Sequence, residues 1–531
     1  MKRNKSTRRE FLKKTSAMGL AGTLGPITVL NPGSVYGADK GKIRVGASLG
    51  LSGIFSGDGE EFRRGLIMAT EEINAAGGIG GYELEPVVDD AQDTYVEQVK
   101  SSFERLLRQK QVDVVFAGFF IGTGVELDMV AEAGIPYVSQ QAKLHISNLI
   151  EENRQKYRMI FQTCPDGTWY GLGFADFLKS VPGDWLQHGK TVAVIGGDNA
   201  YSGQIHPAMR PALKELGFSE THFEVVPYGI PDWTPTLTKL RSNPPSVIAM
   251  CTGIMGDDAL FIKQFSDLPT QSLIYQVYTP STPEYFDVLG DLANGVIWSS
   301  VIGVLPDSHG QSFRERYRQR WNGDEPSFAA AGPMYDQVHM WAKAAGSVAD
   351  PKDSEAVSKA LEILTYRGSA GPYRVQSRNL TVPSYPTQES DVSIGLPHAF
   401  YQISEQKHHC VWPDPYAERA VGSSPCVVAH KISPRSRSRN SSSDASPSLM
   451  TAPNSFQTAR IFSGASEPSR SIASRTFLTA KFRMAFTCRS CWRISLDTFS
   501  DRSSQSITPL RKRSHSGNSA FQSSIIWTRF T

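Results

Sequence analysis

The 531-residue chain carries 55 Lys+Arg against 52 Asp+Glu, and its formal charge of +3 averages two opposite segments. Residues 431–531 hold 16 Lys+Arg against 4 Asp+Glu together with 25 Ser, whereas residues 39–430 hold 32 against 47, a net charge of −15. Six cysteines spread over so long a chain exclude a disulfide-stapled small domain, and roughly 380 well-patterned residues exceed one typical domain and suit two.

Ser6 to Lys14 reads STRREFLKK, followed by a mildly apolar, Gly-rich run from Thr15 to Leu30 and small residues around Val35 to Ala38. This is the pattern of a twin-arginine secretory signal over residues 1–38, with cleavage expected near Gly37 or Ala38. The apolar run is too short and too interrupted by Gly and Pro to act as an anchor. No stable membrane insertion is expected, and the mature chain is expected in the periplasm.

From Lys42 to Asp93 the sequence holds a strand, a small-residue loop, an amphipathic helix and a second strand. Ile43, Val45 and Ala47 to Leu51 form an apolar run, and Ser52, Gly53, Ser56, Gly57 and Gly59 make a flexible loop after it. Phe62, Leu66, Ala69 and Ile73 recur at helical spacing, and Gly77-Gly78 ends the helix where a positive φ is needed. Further apolar runs follow in IRVGASLG, LEPVVDD, VDVVFAG, PYVS, MIFQT, TVAVIGG, FEVVPY, SVIAMCTG and SLIYQVY, with helices predicted at 97–108, 207–216 and 259–265. Runs of V, I, A and G without alternation mean strands covered on both faces, hence an α/β fold with parallel sheets. Ligands of such sheets sit beyond the carboxyl ends of the strands.

The segments LSGIFSGDG, GLIMATEEINAAGGIGG, VVDDAQDT, GIPYVS, TVAVIGGDNAYSGQ and PSVIAMCTG together resemble the Leu/Ile/Val-type extracellular solute-binding proteins of ABC transporters, over roughly 40–416. The resemblance implies a type I periplasmic-binding-protein fold, two Rossmann-like lobes joined by three hinge crossovers. The crossovers are expected near 161–165, 300–304 and 366–369, giving one lobe of 42–162 plus 304–367 and another of 163–303 plus 368–420. It implies a non-enzymatic receptor that captures a small solute, an amino acid, amide or related compound, for the membrane permease subunits of an ABC importer, with no cofactor and no nucleic-acid partner. An exported cofactor-dependent enzyme and a ligand-sensing regulatory module of the same fold are the alternatives.

Candidate ligand-binding residues lie in loops after strands. Gly122 and Thr123 belong to GFFIGTG, which starts a helix and offers backbone N–H groups and a hydroxyl to an anion. By the resemblance, this loop and the one after GIPYVS receive a ligand carboxylate. That second loop is Ser139-Gln140-Gln141-Ala142-Lys143, which departs from the small residues usual there, and Gln140 and Gln141 supply amide donors and acceptors. Opposite them stand Trp169, Tyr201, Thr252, Gly253 and Tyr278. The resemblance places Tyr201 against the ligand and an acidic residue near Tyr278 for a ligand ammonium, yet no Asp or Glu stands there. Aromatic walls with few charges suit a flat or apolar ligand body.

Other constellations carry little. Gly122-x-Gly124 lacks the third glycine of a dinucleotide fingerprint, no P-loop occurs, and no catalytic triad is identified. Asp89, Asp90 and Asp93 read as turn and cap groups, and His408-His409-Cys410 as neighbours on opposite strand faces; no metal site is expected. The tail, with SPRSRSRNSSS, RSSQS and Cys488-x-x-Cys491, has too little apolar surface to offset ordering entropy. Residues 426–531 are therefore expected to be disordered, and are read as an out-of-frame translation beginning near Pro425.

Overall fold

The computed structural model describes residues 40–122, 124–282 and 284–422. The leader, Thr123, Cys426 and the Ser/Arg-rich tail lie outside the described residues.

The first sheet contains β1 (Lys42–Leu49), β2 (Glu83–Asp90), β3 (Val114–Ala117), β4 (Tyr137–Ser139) and β5 (Ile160–Gln162), all parallel, in the order β2-β1-β3-β4-β5. Helices α1 (Ser56–Ala75), α2 (Val96–Glu104), α3 (Val125–Ala133) and α4 (Leu144–Glu152) alternate with the strands. Every residue of β3 is buried, as a run of apolar residues covered on both faces requires. In α1 the residues Phe62, Leu66, Ala69 and Ile73 face the core, and Gly77 and Gly78 take φ of +104° and +72° to end it.

After β5 the chain passes through α5 (Thr168–Leu178) into a second sheet. Here β6 (Thr191–Gly197), β7 (Ser219–Val226), β8 (Val247–Cys251), β9 (Leu273–Val277) and β10 (Ile297–Ser300) run parallel in the order β7-β6-β8-β9-β10, with α6 (Ser202–Glu215), α7 (Thr234–Ser242), α8 (Met255–Asp267) and α9 (Glu284–Leu289) between them. The chain then returns to the first lobe as α10 (Ser308–Arg320), α11 (Ala331–Ala345) and α12 (Ser354–Ile363), of which α11 packs on α1. Two short pairs follow, β11 (Thr365–Gly368) with β12 (Gly371–Arg374) and β13 (Ser384–Tyr385) with β14 (Leu396–Pro397). Finally β15 (Ala399–Ser404) adds antiparallel to β10, and β16 (Lys407–Trp412) adds antiparallel to β15 as the edge of the second sheet. The result is an α/β fold of two lobes with three chain passages between them.

Three local readings need adjustment. The helix expected over 97–108 ends at Glu104, and residues 105–110 continue as wider π-type turns closed by Gln111 at φ +51°. The helix expected from Pro207 starts five residues earlier, because the Asn199 side chain accepts from the Ser202 N–H at 2.8 Å and initiates it there; Pro207 and Pro211 lie inside it. The helix expected over 259–265 extends over the whole of α8. Of the acidic cluster, Asp89 pairs bidentately with Arg105 (2.6 and 2.9 Å), and Asp90 accepts from Leu51 N, Ser52 Oγ and Gln92 N. Asp90 thus holds turns together, whereas Asp89 ties the end of β2 to the helical turns at 105–110. Among the described residues no helix is long and apolar enough to cross a membrane.

Candidate functional site

A cavity of about 250 Å³ lies between the lobes, walled by loops that leave the carboxyl ends of strands in both sheets. The first lobe contributes Phe55 after β1, Phe119 to Ile121 after β3, and Gln140 to Lys143 after β4. The second contributes Tyr170 on α5, Asp198 to Tyr201 after β6, Thr252 to Ile254 after β8, and Tyr278 after β9. Seven of its twenty lining residues are aromatic. Phe119 meets Tyr278 edge-on across the cleft (5.5 Å, 88°), and Tyr170 meets Tyr201 likewise (5.7 Å, 79°). Both are favoured geometries for aromatic pairs.

Two polar links tie the lobes beside the cavity. Gln204 on α6 accepts from Leu144 N and donates to Ala142 O, both at 2.7 Å. The Tyr278 hydroxyl donates to Asp58 Oδ1 at 2.7 Å. Asp58 is buried at the start of α1; burial first of all, then Glu284 and Glu61 nearby, lift its carboxyl to about 7 against the pull of the Tyr278 bond. Tyr278 holds φ +67°, a sparsely populated conformation for a residue with a side chain, and its N–H donates to Ser299 O at 3.0 Å.

The structure brings Gln140, Gln141, Tyr201, Thr252, Gly253 and Tyr278 together around the cavity, but their polar atoms are unequally free. The Gln140 amide donates to Ala329 O and accepts from Gln337 Nε2 (2.9 Å), so it is a tie to α11. The Thr252 hydroxyl donates to Asp258, which also accepts from Thr279 (2.6 Å). Gly253, at φ +74°, leaves room for the Tyr201 ring, which a Cβ would approach to 2.9 Å. Gln141 Nε2 donates to Tyr137 Oη at 3.3 Å, while its Oε1 is buried with no partner.

Two expected residues stand elsewhere. Trp169 is not in the cavity wall but packs partly buried against the core, and its neighbour Tyr170 takes the place. Successive residues of a helix point about 100° apart, so a one-residue offset changes the face. Gly122 also lies off the cavity: its N–H donates to Thr94 O (3.0 Å), as does that of Ile121 (3.2 Å), and a Cβ would strike Val96. At the start of α3 the Gly124 N–H donates to Glu126 Oε2 at 2.8 Å. The helix's own carboxylate thus occupies a position expected to serve a ligand anion.

Sequence reasoning left out Lys143. It is partly buried in the cavity wall, and burial pushes its ammonium down to about 8 although Glu126 pulls the other way. Its ammonium makes no hydrogen bond or ion pair among the described residues. The departure of the loop from small residues was the available signal. Cys164 also lines the cavity, but burial pushes its thiol well up, the opposite of an activated cysteine.

The sequence profile of the Periplasmic binding protein family matches residues 42–386. A solved structure named as a branched-chain amino acid ABC transporter from Silicibacter pomeroyi is 33% identical, covers 73% of this chain and 100% of its own, and superposes with a TM-score of 0.67. The Leu/Ile/Val-binding protein homolog 3 of Brucella melitensis is 24% identical over 354 residues, 66% of this chain and 89% of the relative. A branched-chain amino acid transporter substrate-binding protein from Streptococcus pneumoniae, solved in complex with isoleucine, shares the fold at 19% identity and a TM-score of 0.55, covering 69% of this chain and 97% of its own. With a type I arrangement of two parallel-dominated lobes around one cavity, and a family profile running from β1 into the segment before β14, the chain belongs to the periplasmic binding protein family, in its solute-binding receptor branch.

Proposed function

We propose that the chain is an extracytoplasmic receptor that holds one small solute between its lobes, presents the closed form to the permease subunits of an ABC importer, and releases the solute unchanged. The observation that carries this is the cavity itself, built from both lobes and flanked by the Gln204 and Asp58–Tyr278 links. A solute touching both walls stabilises the closed arrangement in proportion to its differential affinity for it. Relatives named as binding leucine, isoleucine and valine support an amino acid or a compound of similar size. The twin-arginine pattern of residues 1–38 supports a periplasmic location.

Within the cavity, Tyr201, Tyr278 and Tyr170 serve as aromatic contacts and Gln141 as a polar one; Gln140, Thr252 and Gly253 shape the wall. A thermal-shift screen of amino acids, amides, ureas and aromatic acids, followed by small-angle scattering with the best hit, tests the reading. The expected result is a raised melting temperature, a smaller radius of gyration, and the solute recovered intact. A bound compound that is chemically altered would make the chain an enzyme instead.

A further inference from the structure

The polar complement of the cavity is lopsided. Among its described lining residues, Lys143 is the one base and Asp198 the one acid, and they are differently placed. Lys143 belongs to the segment 142–144 that Gln204 pins from the opposite lobe, through Ala142 O and Leu144 N. Its ammonium therefore rides on a backbone fixed from both sides, within the wall, with no hydrogen bond or ion pair among the described residues and only the longer-range attraction of Glu126. Asp198 is exposed and open to water, where a charge pair is worth little. Of the other carboxylates near the cavity, Asp58 is engaged with Tyr278 and Asp258 with Thr252 and Thr279, while Glu126 stands behind the lining, its Oε2 on the Gly124 amide and its charge attracting Lys143 at longer range.

We infer that, within the receptor reading above on which this rests, the ligand is a small aromatic carboxylate without an α-ammonium group, its carboxylate on Lys143 and its ring between the aromatic walls. The amides of Ile121, Gly122 and Gly124 are occupied by Thr94 and Glu126. A carboxylate has little to gain there and a free cation to gain at Lys143. The buried, unpartnered Gln141 Oε1 can accept a ring hydroxyl, as could be supplied by a hydroxybenzoate. An α-ammonium group would sit beside Lys143, repelled, with no buried carboxylate among the described lining residues to receive it. The volume of about 250 Å³, below the roughly 300–1,000 Å³ of pockets for drug-sized ligands, keeps the ligand to about one ring.

The test is isothermal titration of the full chain, wild type and Lys143→Met, with benzoate, 4-hydroxybenzoate, benzamide, L-leucine and L-phenylalanine. Expected on the wild type is binding of the two acids, with benzamide weaker by about 10–100-fold, the range of a charge-assisted hydrogen bond. Lys143→Met should bring benzoate down to the level of benzamide and leave benzamide within about 3-fold of its wild-type affinity. Lys143→Arg keeps the charge, should retain acid binding, and covers the case in which the methionine variant fails to fold. Tighter binding of leucine than of benzoate, or acid affinity indifferent to Lys143→Met in a folded protein, overturns the inference and leaves the receptor standing. Failure of every solute in the wider screen to bind would overturn the receptor reading itself.

Discussion

Asp58 shows how a single side chain links the two lobes to pH. Its carboxyl is buried, takes the Tyr278 hydroxyl at 2.7 Å, and has its affinity for the proton raised to about 7, chiefly by burial. The unfolded chain holds that proton only up to about 4. Because the folded state binds the proton more tightly, the group favours folding below about pH 4, and this contribution is lost as the pH rises to about 7, then stays constant. Asn at this position is always neutral. The stability of Asp58→Asn relative to wild type should therefore increase between pH 4 and 7 and level off above, by at most about 4 kcal/mol. Denaturant titrations at pH 4, 5, 6, 7 and 8 would check it, and a flat difference would mean that Asp58 is ionised throughout. Nothing near Asp58 in the sequence announces this, since its partner lies 220 residues away. Tyr201, Thr252 and Tyr278 could be found because Thr252 and Tyr278 directly follow apolar strands and Tyr201 lies in the short loop after one. Lys143 could not be distinguished from a solvated loop lysine until Gln204 was seen to hold its neighbours.

At the scale of elements, the crossing of α1 and α11 sets how closely the returning helices pack on the first sheet. Gly65 sits at the contact, where a Cβ would stand 2.2 Å from Ala331 O. A backbone atom cannot rotate away, so the helices must separate. Gly65→Ala should cost about 1–3 kcal/mol, the usual penalty of overpacking, seen as a lower denaturant midpoint at unchanged m. Gly256, on α8 with open space around its Cβ position, supplies the control: Gly256→Ala should be neutral or stabilising by up to about 1 kcal/mol. Equal gains at both positions would show that helix propensity, not the crossing, governs the outcome. The periodicity of Phe62, Leu66, Ala69 and Ile73 made the buried face of α1 legible in the sequence. What covers that face was not, because α11 arrives after a departure to the other sheet, and periodicity carries no information on pairing across such a distance. The parallel strands were readable for the complementary reason: burial on both faces leaves a continuous apolar run. The last two strands, β15 and the edge strand β16, are interrupted by polar residues such as Gln402, His408 and His409.

For the whole molecule, the question is what holds the lobes together when no solute does. Gln204 is the most direct candidate, with one amide satisfying a carbonyl and an N–H of the opposite lobe at 2.7 Å each. Gly167 lies so close that a Cβ would stand 2.6 Å from Gln204 Nε2, so the amide is held in place by packing as well. Replacing it with Ala removes both bonds and leaves their partners free to take water once the cleft opens. The net loss is about 1–3 kcal/mol, which moves an open–closed ratio by about 5–150-fold. If the ligand binds the closed form, the same factor appears in its affinity, because only the competent fraction binds tightly. Gln204→Ala should therefore enlarge the radius of gyration of the ligand-free chain, weaken the best ligand from the screen, and leave thermal unfolding of each lobe cooperative. Scattering with and without saturating ligand separates the causes. A variant that opens when empty but compacts to the wild-type dimension when loaded has lost only the clamp, whereas one with wild-type scattering and wild-type affinity would show that the closed arrangement is held by the aromatic contacts of Phe119 and Tyr278 instead.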